Sequence, residues 1–345
     1  MSVSSAFRSE HTARARPGAG IVFARHRGLL TAIAVFLLLF ALVNSIGAGR
    51  LTYFDIGFMA SGAATLAIAA IGETIVILTG GFDLSAGAVI SLVNVVLASS
   101  MDPASTHESI VLWTLAGIGV GMAAGVFNGF FIAYADVPAI FATLASGAFV
   151  FGFVRSQLIG QDAIPVPPQN WVETLGRVRF LSIPVEVFLF AAIAFLAFLF
   201  LRFAKWGRYV YLMGDNPMAA RNMGIPVRPM IVLRYVLSAV IAFAAGILTA
   251  AGLLSINTRV VNSTLLYDII LVVVIGGIGL SGGRGGVRNV IVGALLIGIM
   301  LNAMTILDIP NIYQNLIKST ILLIAIIIDS VLNPRDEQTA QQGDI

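Results

Sequence analysis

Ten apolar stretches, separated by short polar or glycine-rich segments, run through the 345 residues of this chain. A bilayer core of about 30 Å is crossed by roughly 20 helical residues, and a helix satisfies its own backbone hydrogen bonds in lipid. The pattern predicts an all-α polytopic membrane protein, a helical bundle of about ten transmembrane helices. The expected spans are residues 28–47, 58–79, 86–101, 110–134, 138–158, 184–203, 230–254, 266–280, 287–306 and 313–332.

The composition supports a membrane protein and excludes several other classes. Charged residues make up only 11% of the chain, whereas soluble domains carry about 25%. The chain contains no cysteine, which excludes disulfides and thiolate metal sites, and it has no G-x-x-x-x-G-K-[ST] loop to hold nucleotide phosphates. We expect no catalytic residue, metal site or cofactor in this chain, and no binding of nucleic acid.

The distribution of basic residues predicts the orientation of the chain. With the N-terminus inside and ten spans, fourteen basic residues fall on the inner side and five on the outer side, as the positive-inside rule requires. Both termini are then cytoplasmic. The predicted organisation is a basic tail over 1–27, a transmembrane domain over 28–332 with a cytoplasmic loop at 205–229, and a polar tail over 333–345. We expect the outer loop 160–180 to be extended.

The cytoplasmic loop 205–229 contains a short helix with recognisable ends. Asp215 or Asn216 can cap its N-terminus. Pro217 suits the first helical position, and Gly224 suits the left-handed residue after the last turn. A helix of about two turns is not stable alone, so it docks either on a partner or on its own membrane domain. The residues predicted to make this contact are Asp215, Asn216, Pro217, Met218, Arg221, Met223 and Gly224.

Two glycine-rich stretches share a spaced pattern. Residues 80–87 read GGFDLSAG and residues 276–283 read GGIGLSGG, so both fit Gly-Gly-x-x-Leu-Ser-x-Gly. Membrane transporters are often built from repeats, in which broken helices at corresponding positions mark the pathway. The Gly80–Ser85 turn is either re-entrant or cytoplasmic. Its Asp83 either caps the third span or lines a cavity.

Polar side chains inside the spans are further candidates for function. A charge in the membrane costs about 3 kcal/mol or more, so it usually faces a cavity or a partner. Glu73, near the middle of the second span, is therefore either functional or structural. Arg234, near the inner end of the seventh span, is expected to extend its head group to the membrane surface. The candidates for the translocation pathway are Glu73, Gly80, Gly81, Asp83, Ser85, Asn94, Asn128, Asp268, Gly276, Gly277 and Ser281.

These stretches resemble the permease subunits of ABC sugar importers, the group that transports ribose, xylose, galactose and autoinducer-2. GGFDLSAG is similar to the GGIDLSVG of that family. VPAIFATLASGAFVFGFVR, GRYVYLMGDNPMAARNMGIPV and DIILVVVIGGIGLSGGRGGV match three further segments. The resemblance covers about residues 28–332. Glu73 departs from it, because an apolar residue is usual at that position.

The resemblance implies a type II-like ABC importer permease in the bacterial cytoplasmic (inner) membrane. Its expected partners are a second permease subunit in a homodimer or heterodimer, two cytoplasmic ATPase subunits and a periplasmic or extracellular sugar-binding protein. ATP and Mg would be held by the ATPase subunits. The resemblance makes residues 215–224 the helix that couples to them. The residues alone leave open an alternative, a stand-alone proton-coupled secondary transporter that uses Glu73.

Overall fold

The computed structural model describes residues 27–46, 53–100, 107–158, 163–166, 171–257 and 264–332. The predicted tails, over 1–27 and 333–345, lie almost wholly outside the described residues. The described chain forms thirteen helices: α1 (Arg27–Ile46), α2 (Tyr53–Ile77), α3 (Ala86–Ser100), α4 (His107–Tyr134), α5 (Ala139–Leu158), α6 (Trp171–Arg177), α7 (Val185–Phe203), α8 (Lys205–Asp215), α9 (Pro217–Asn222), α10 (Val227–Leu253), α11 (Leu265–Ile275), α12 (Val287–Ile306) and α13 (Asn311–Leu332).

Each of the ten predicted spans coincides with a helix. Six of the described helices are long and apolar enough to cross a membrane, namely those in α2, α4, α7, α10, α12 and α13. Three apolar helices are shorter, in α3, α5 and α11. The eleven residues of α11 rise about 16 Å, roughly half of a bilayer core. The protein is therefore a multi-pass helical membrane protein, and the count of ten crossings remains a prediction.

The centre of the bundle is formed by α2, α3, α10 and α11. Residues 86–97 of α3 are all buried, and most of α2 is buried as well. In contrast, α7 and α13 expose most of their apolar side chains. Such outward-facing apolar surface is what lipid contact requires. The polar side chains that are buried at the centre are thus enclosed by a ring of more exposed helices.

Glycines permit the closest helix crossings. A Cβ on Gly125 would lie 2.7 Å from the Tyr235 carbonyl oxygen, and one on Gly129 would overlap the backbone of Val232. Glycines four residues apart let helix backbones approach closely in membranes. This contact brings α4 against α10. It fixes the face of α10 that points toward the centre.

Four short strands lie between helices. Ala163–Pro165 (β1) pairs antiparallel with Ser255–Asn257 (β4), and Arg179–Phe180 (β2) pairs with Ile183–Pro184 (β3). The predicted extended conformation of loop 160–180 is wrong for Trp171–Arg177, which forms helix α6. Val172 is fully buried against the bundle, and this burial stabilises a helix too short to form alone.

Candidate functional site

The two glycine-rich stretches end two helices in the same way. After α2, the amides of Gly80 and Gly81 donate to Ile77 and Val76; after α11, Gly277 and Ile278 donate to Val274 and Val273. This pair of bonds is the Schellman motif, which needs a left-handed residue that glycine supplies. The left-handed residues are Gly80, with φ 78°, and Gly277, with φ 82°. The shared sequence pattern is therefore a shared helix ending, shifted by one residue.

The two glycine turns touch each other and helix α8. The Gly283 amide donates to the Leu78 carbonyl oxygen over 2.9 Å. A Cβ on Gly214 would overlap the Leu78 oxygen, and a Cβ on Gly282 would lie 2.8 Å from the Gly80 nitrogen. We call this contact between Leu78, Gly80, Gly214, Gly282 and Gly283 the glycine junction. It joins the ends of α2 and α11 to the C-terminal end of α8 through backbone atoms.

A buried hydrogen-bond network holds the turn between α2 and α3. Asp83 Oδ1 accepts from both the amide (3.0 Å) and the hydroxyl of Ser85, and its Oδ2 accepts from the Ser238 hydroxyl over 2.7 Å. The Asn128 amide donates to Ser85 Oγ over 2.9 Å, and Asn128 Oδ1 accepts from Ser146. Asp83 thus fixes the turn that leads into α3 and, through Ser238 directly and through Ser85 and Asn128, connects it to α10, α4 and α5. The network places three pathway candidates side by side.

Glu73 lies beside this network. It is fully buried, and its Oε1 accepts from the Asp83 amide over 3.2 Å. Its second oxygen has no hydrogen-bond partner among the described residues. The contact with the Asp83 backbone gives Glu73 a defined structural task, which is to hold the turn that follows its own helix.

Arg234 is buried, so the prediction that its head group reaches the membrane surface is wrong. Its Nη1 donates to the carbonyl oxygen of Thr79 over 3.2 Å and to the hydroxyl of the same residue. A Cβ on Gly81 would lie 2.9 Å from its guanidinium carbon. Gly81 therefore leaves the space that the guanidinium group fills. The two Thr79 oxygens stabilise the buried charge at Nη1, whereas Nε has no hydrogen-bond partner among the described residues.

Asp268 forms an ion pair that joins two helices. Lys318 Nζ of α13 lies 2.9 Å from Asp268 Oδ2 of α11 and donates to Thr264 Oγ1 over 2.9 Å. Both charged residues are buried. Three further pathway candidates lie elsewhere on the described helices and loops. Gly276 accepts from the Asn289 amide over 2.7 Å, Asn94 is buried in α3, and Ser281 is in the loop after α11.

The predicted short helix is present as α9. Of the two candidate caps, Asn216 forms the bond, because its Oδ1 accepts from the Ala219 amide over 2.9 Å. Pro217 is the first helical residue, and Gly224 is left-handed with φ 78°. The helix buries Ala220 against its own chain. It exposes Met218 (55%), Met223 (64%) and Arg221.

Helix α8 connects α9 to the glycine junction. Its Met213 and Gly214 are buried, and the Tyr211 hydroxyl donates to the Gly285 carbonyl oxygen over 3.0 Å. Burial raises the pKa of the Tyr211 phenol, so the hydroxyl is neutral and able to donate at neutral pH. From the other side, Asp329 of α13 accepts from the Leu280 amide over 3.0 Å. The loop after α11 is thus fixed by both α8 and α13.

Comparison with known proteins identifies the family. The family described as "Branched-chain amino acid transport system / permease component" matches residues 56–326. The chain belongs to this permease family. The permease is 29% identical over 303 residues to the ribose import permease protein RbsC of Escherichia coli K12, covering 86% of this chain and 92% of that protein.

Other relatives of the permease show a similar range of identity. It is 35% identical over 271 residues to the galactofuranose transporter permease protein YtfT of the same strain, covering 78% of this chain and 77% of that one. It is 34% identical over 313 residues to the probable ABC transporter permease protein YphD, covering 90% and 91%. No solved structure matches the chain. The resemblance to ABC sugar-importer permeases is confirmed by these relatives.

Several residues that organise the site of the permease were not singled out from the sequence. They are serine and threonine residues on other helices, the partner of Asp268, and a buried glutamate at the start of α7: Thr79, Thr143, Ser146, Glu186, Ser238 and Lys318. Hydroxyl side chains are common in membrane helices and carry no distinctive spacing. The lysine within the last apolar stretch was the one visible signal, because an intramembrane charge requires a partner.

Proposed function

We propose that the chain is the transmembrane subunit of an ATP-driven, binding-protein-dependent importer for a sugar or a sugar-like solute. Membership in the permease family supports the transport role. The relatives named for ribose and galactofuranose support a sugar as the cargo. In this proposal the chain spans the bacterial inner membrane ten times, has both termini in the cytoplasm and forms part of the translocation pathway.

The observation that carries the proposal is the connection from α9 to the glycine junction. Met218 and Arg221 of α9 and the adjacent Met223 are exposed, and the helix is too short to persist without contacts. Through α8, the same segment rests on the ends of α2 and α11. A partner that moves α9 would therefore act, through α8, on the end of α2 and on the loop that follows α11. This is the mechanical link that an externally powered permease requires.

The partners follow from this arrangement. Two cytoplasmic ATPase subunits would bind α9 of this chain and of a second permease subunit, in a homodimer or a heterodimer. A periplasmic or extracellular sugar-binding protein would deliver the solute. ATP and Mg would be bound by the ATPase subunits. ATP binding can shift the permease between states only if the ATPase contacts α9 differently in each.

The buried network suggests how the pathway is closed in this conformation. Glu73, Asp83 and Asn128 are all buried within one chain and belong to one hydrogen-bond network around the turn between α2 and α3. A solute can meet these groups only after the helices around the turn separate. We infer that the glycine junction and the Asp83 network together hold a closed state, which movement of α8 and α9 opens.

The contact between Glu73 and the Asp83 backbone separates this proposal from a proton-coupled transporter. Glutamine keeps the oxygen that accepts from the Asp83 amide but does not exchange a proton. We expect Glu73→Gln to retain ATP-driven uptake in proteoliposomes that contain the ATPase and binding protein. Loss of uptake, together with pH-driven uptake by the wild-type chain without an ATPase, would favour the proton-coupled alternative.

The decisive experiment compares Arg221→Glu with Arg208→Glu. Both arginines are exposed in the 205–229 loop, but only Arg221 lies on α9. We expect Arg221→Glu to abolish ATP-driven uptake and ATPase binding, and Arg208→Glu to leave both largely intact. Gly224→Pro should act like Arg221→Glu, since proline cannot adopt a φ of 78°. Equal uptake and ATPase binding by wild type and Arg221→Glu would contradict the proposal.

A further inference from the structure

The hairpin between α6 and α7 presents an apolar tip. Strands β2 and β3 pair Phe180 with Ile183, and the tip residues between them are Leu181 and Ser182. Phe180 is 64% exposed and Leu181 is 76% exposed. In contrast, Pro184 on the paired strand is buried. The hairpin therefore offers an apolar surface that the described chain does not cover.

The backbone of the tip is strained. Leu181 and Ser182 both have positive φ, at 51° and 63°. Two such residues make a type I′ turn, where glycine and asparagine are the favoured residues. A leucine in this conformation is destabilising for an L-residue, and the exposed side chain gains little from contacts within the described residues. Strain of this kind at an exposed position is a reason to look for a binding role.

The contacts of the hairpin place its tip beside the membrane-spanning part of α7. The Phe180 ring packs edge-on against Phe188, with 5.8 Å between ring centroids. Phe188 lies in the first turn of α7, so the Phe180 ring is level with the helix and not beyond its end. Phe188, Phe195 and Leu196 form the exposed face of this span. Phe180 and Leu181 extend the same apolar face.

The hairpin is held rigidly in this position. The Tyr53 hydroxyl at the start of α2 donates to the Leu181 carbonyl oxygen over 2.9 Å, and the Val185 amide donates to Val178 over 3.1 Å. The adjacent Arg177 and Arg179 are exposed and basic. Tyrosine side chains such as Tyr53 favour the headgroup region at membrane ends, and basic side chains there attract anionic lipids.

We propose that the hairpin is an interfacial anchor, in which Phe180 and Leu181 insert into the bilayer at the boundary between head groups and acyl chains. The exposed apolar tip then has an occupant, and the strained turn orients Leu181 toward lipid. The hairpin, through Tyr53 and Phe188, fixes the depth of α2 and α7 in the bilayer. A soluble protein partner or a second copy of the chain at this surface would be different occupants.

The absence of cysteine allows a direct test with one nitroxide label. Full-length Leu181→Cys would be labelled and reconstituted in phosphatidylethanolamine–phosphatidylglycerol vesicles, with Asn222→Cys on exposed α9 as the matched control. Electron paramagnetic resonance then measures collisions with oxygen, which concentrates in lipid, and with a water-soluble nickel chelate present on both sides. We expect oxygen accessibility to exceed nickel accessibility at Leu181, and the reverse at Asn222.

The other outcomes overturn the proposal. Higher nickel than oxygen accessibility at Leu181 would mean that the tip lies in water, open to a soluble partner. Low accessibility to both reagents would mean that the tip is buried against another protein chain. Phe180→Cys provides a second label position and should give the same order as Leu181. Opposite results at the two positions would also exclude insertion of the tip as a unit.

Discussion

At the scale of single residues, the side chain of Asp83 connects the turn before α3 to helix α10. Its two oxygens accept three hydrogen bonds, from the backbone and hydroxyl of Ser85 and from the hydroxyl of Ser238. The sequence offered two interpretations, a helix cap or a cavity-lining group. The geometry shows a bond to the Ser85 amide, which lies just before α3, and a partner 155 residues away along the chain. The role of Asp83 in solute passage remains a prediction.

Replacing Asp83 by alanine should destabilise the permease strongly. The change leaves buried hydroxyl and amide groups without their acceptor, which costs about 3 kcal/mol. Ser238→Ala removes only one of the bonds and should cost about 1 kcal/mol. Chemical denaturation of the purified protein in detergent, followed by tryptophan fluorescence, measures both values. An Asp83→Ala protein as stable as Ser238→Ala would show that the network contributes little.

The ion pair of Asp268 and Lys318 gives a second prediction at this scale. Lys318→Met leaves a buried carboxylate without its cation, which is expected to cost about 3–5 kcal/mol. The double variant Asp268→Asn/Lys318→Met removes both charges and should recover most of that loss. The same denaturation experiment in detergent distinguishes the two. If the double variant were as unstable as Lys318→Met, the pair would not be the cause.

At the scale of elements, the glycine junction is the contact on which α2, α8 and the loop after α11 meet. Each glycine turn taken alone is an ordinary helix ending with a left-handed residue. Where the two turns are in contact, the Gly283 amide donates a hydrogen bond to the Leu78 carbonyl oxygen. The space beside that bond accommodates Gly214 because it has no side chain. Three segments far apart in sequence therefore share one small volume.

Gly214→Ala should separate these elements. The added methyl group would overlap the Leu78 carbonyl oxygen and approach the Gly283 amide, so α8 must move or the bond between them must break. We expect ATP-driven uptake in proteoliposomes to fall several-fold. Gly119→Ala is the matched control, because a Cβ there meets nothing within 4 Å. Unchanged uptake with Gly214→Ala would contradict the role of the junction.

At the scale of the whole molecule, local patterns were predictable and distant contacts were not. The apolar stretches located the helices, and Asn216, Pro217 and Gly224 located α9, because each depends on neighbours within a few residues. The prediction for Arg234 is wrong, since its acceptor Thr79 lies in the turn after α2, 155 residues away along the chain. The lysine in the last span indicates that a partner exists, but its pairing with Asp268, 50 residues away, could not be predicted from the sequence. Sequence gives the depth of a charge in the membrane but not the helix that faces it.

The ten-span topology makes a prediction for the whole chain. It places Arg177 outside and Asn222 in the cytoplasm, because fourteen basic residues fall on the side of the 205–229 loop and five on the other side. Because the chain has no cysteine, Arg177→Cys and Asn222→Cys each introduce a unique thiol. A membrane-impermeant maleimide should label only Arg177→Cys in intact cells, and both after permeabilisation. Labelling of Asn222→Cys in intact cells would reverse the orientation.

The glycine junction is made of peptide groups, and this has a consequence for how such a protein can diversify. Contacts between main-chain atoms do not depend on which side chains surround the transported solute. If the pathway is as proposed, a descendant of this chain could exchange the side chains that line it while the backbone contacts of Leu78, Gly214 and Gly283 stay the same. The contacts that would transmit movement from the ATPase and the side chains that would recognise the solute could then change independently.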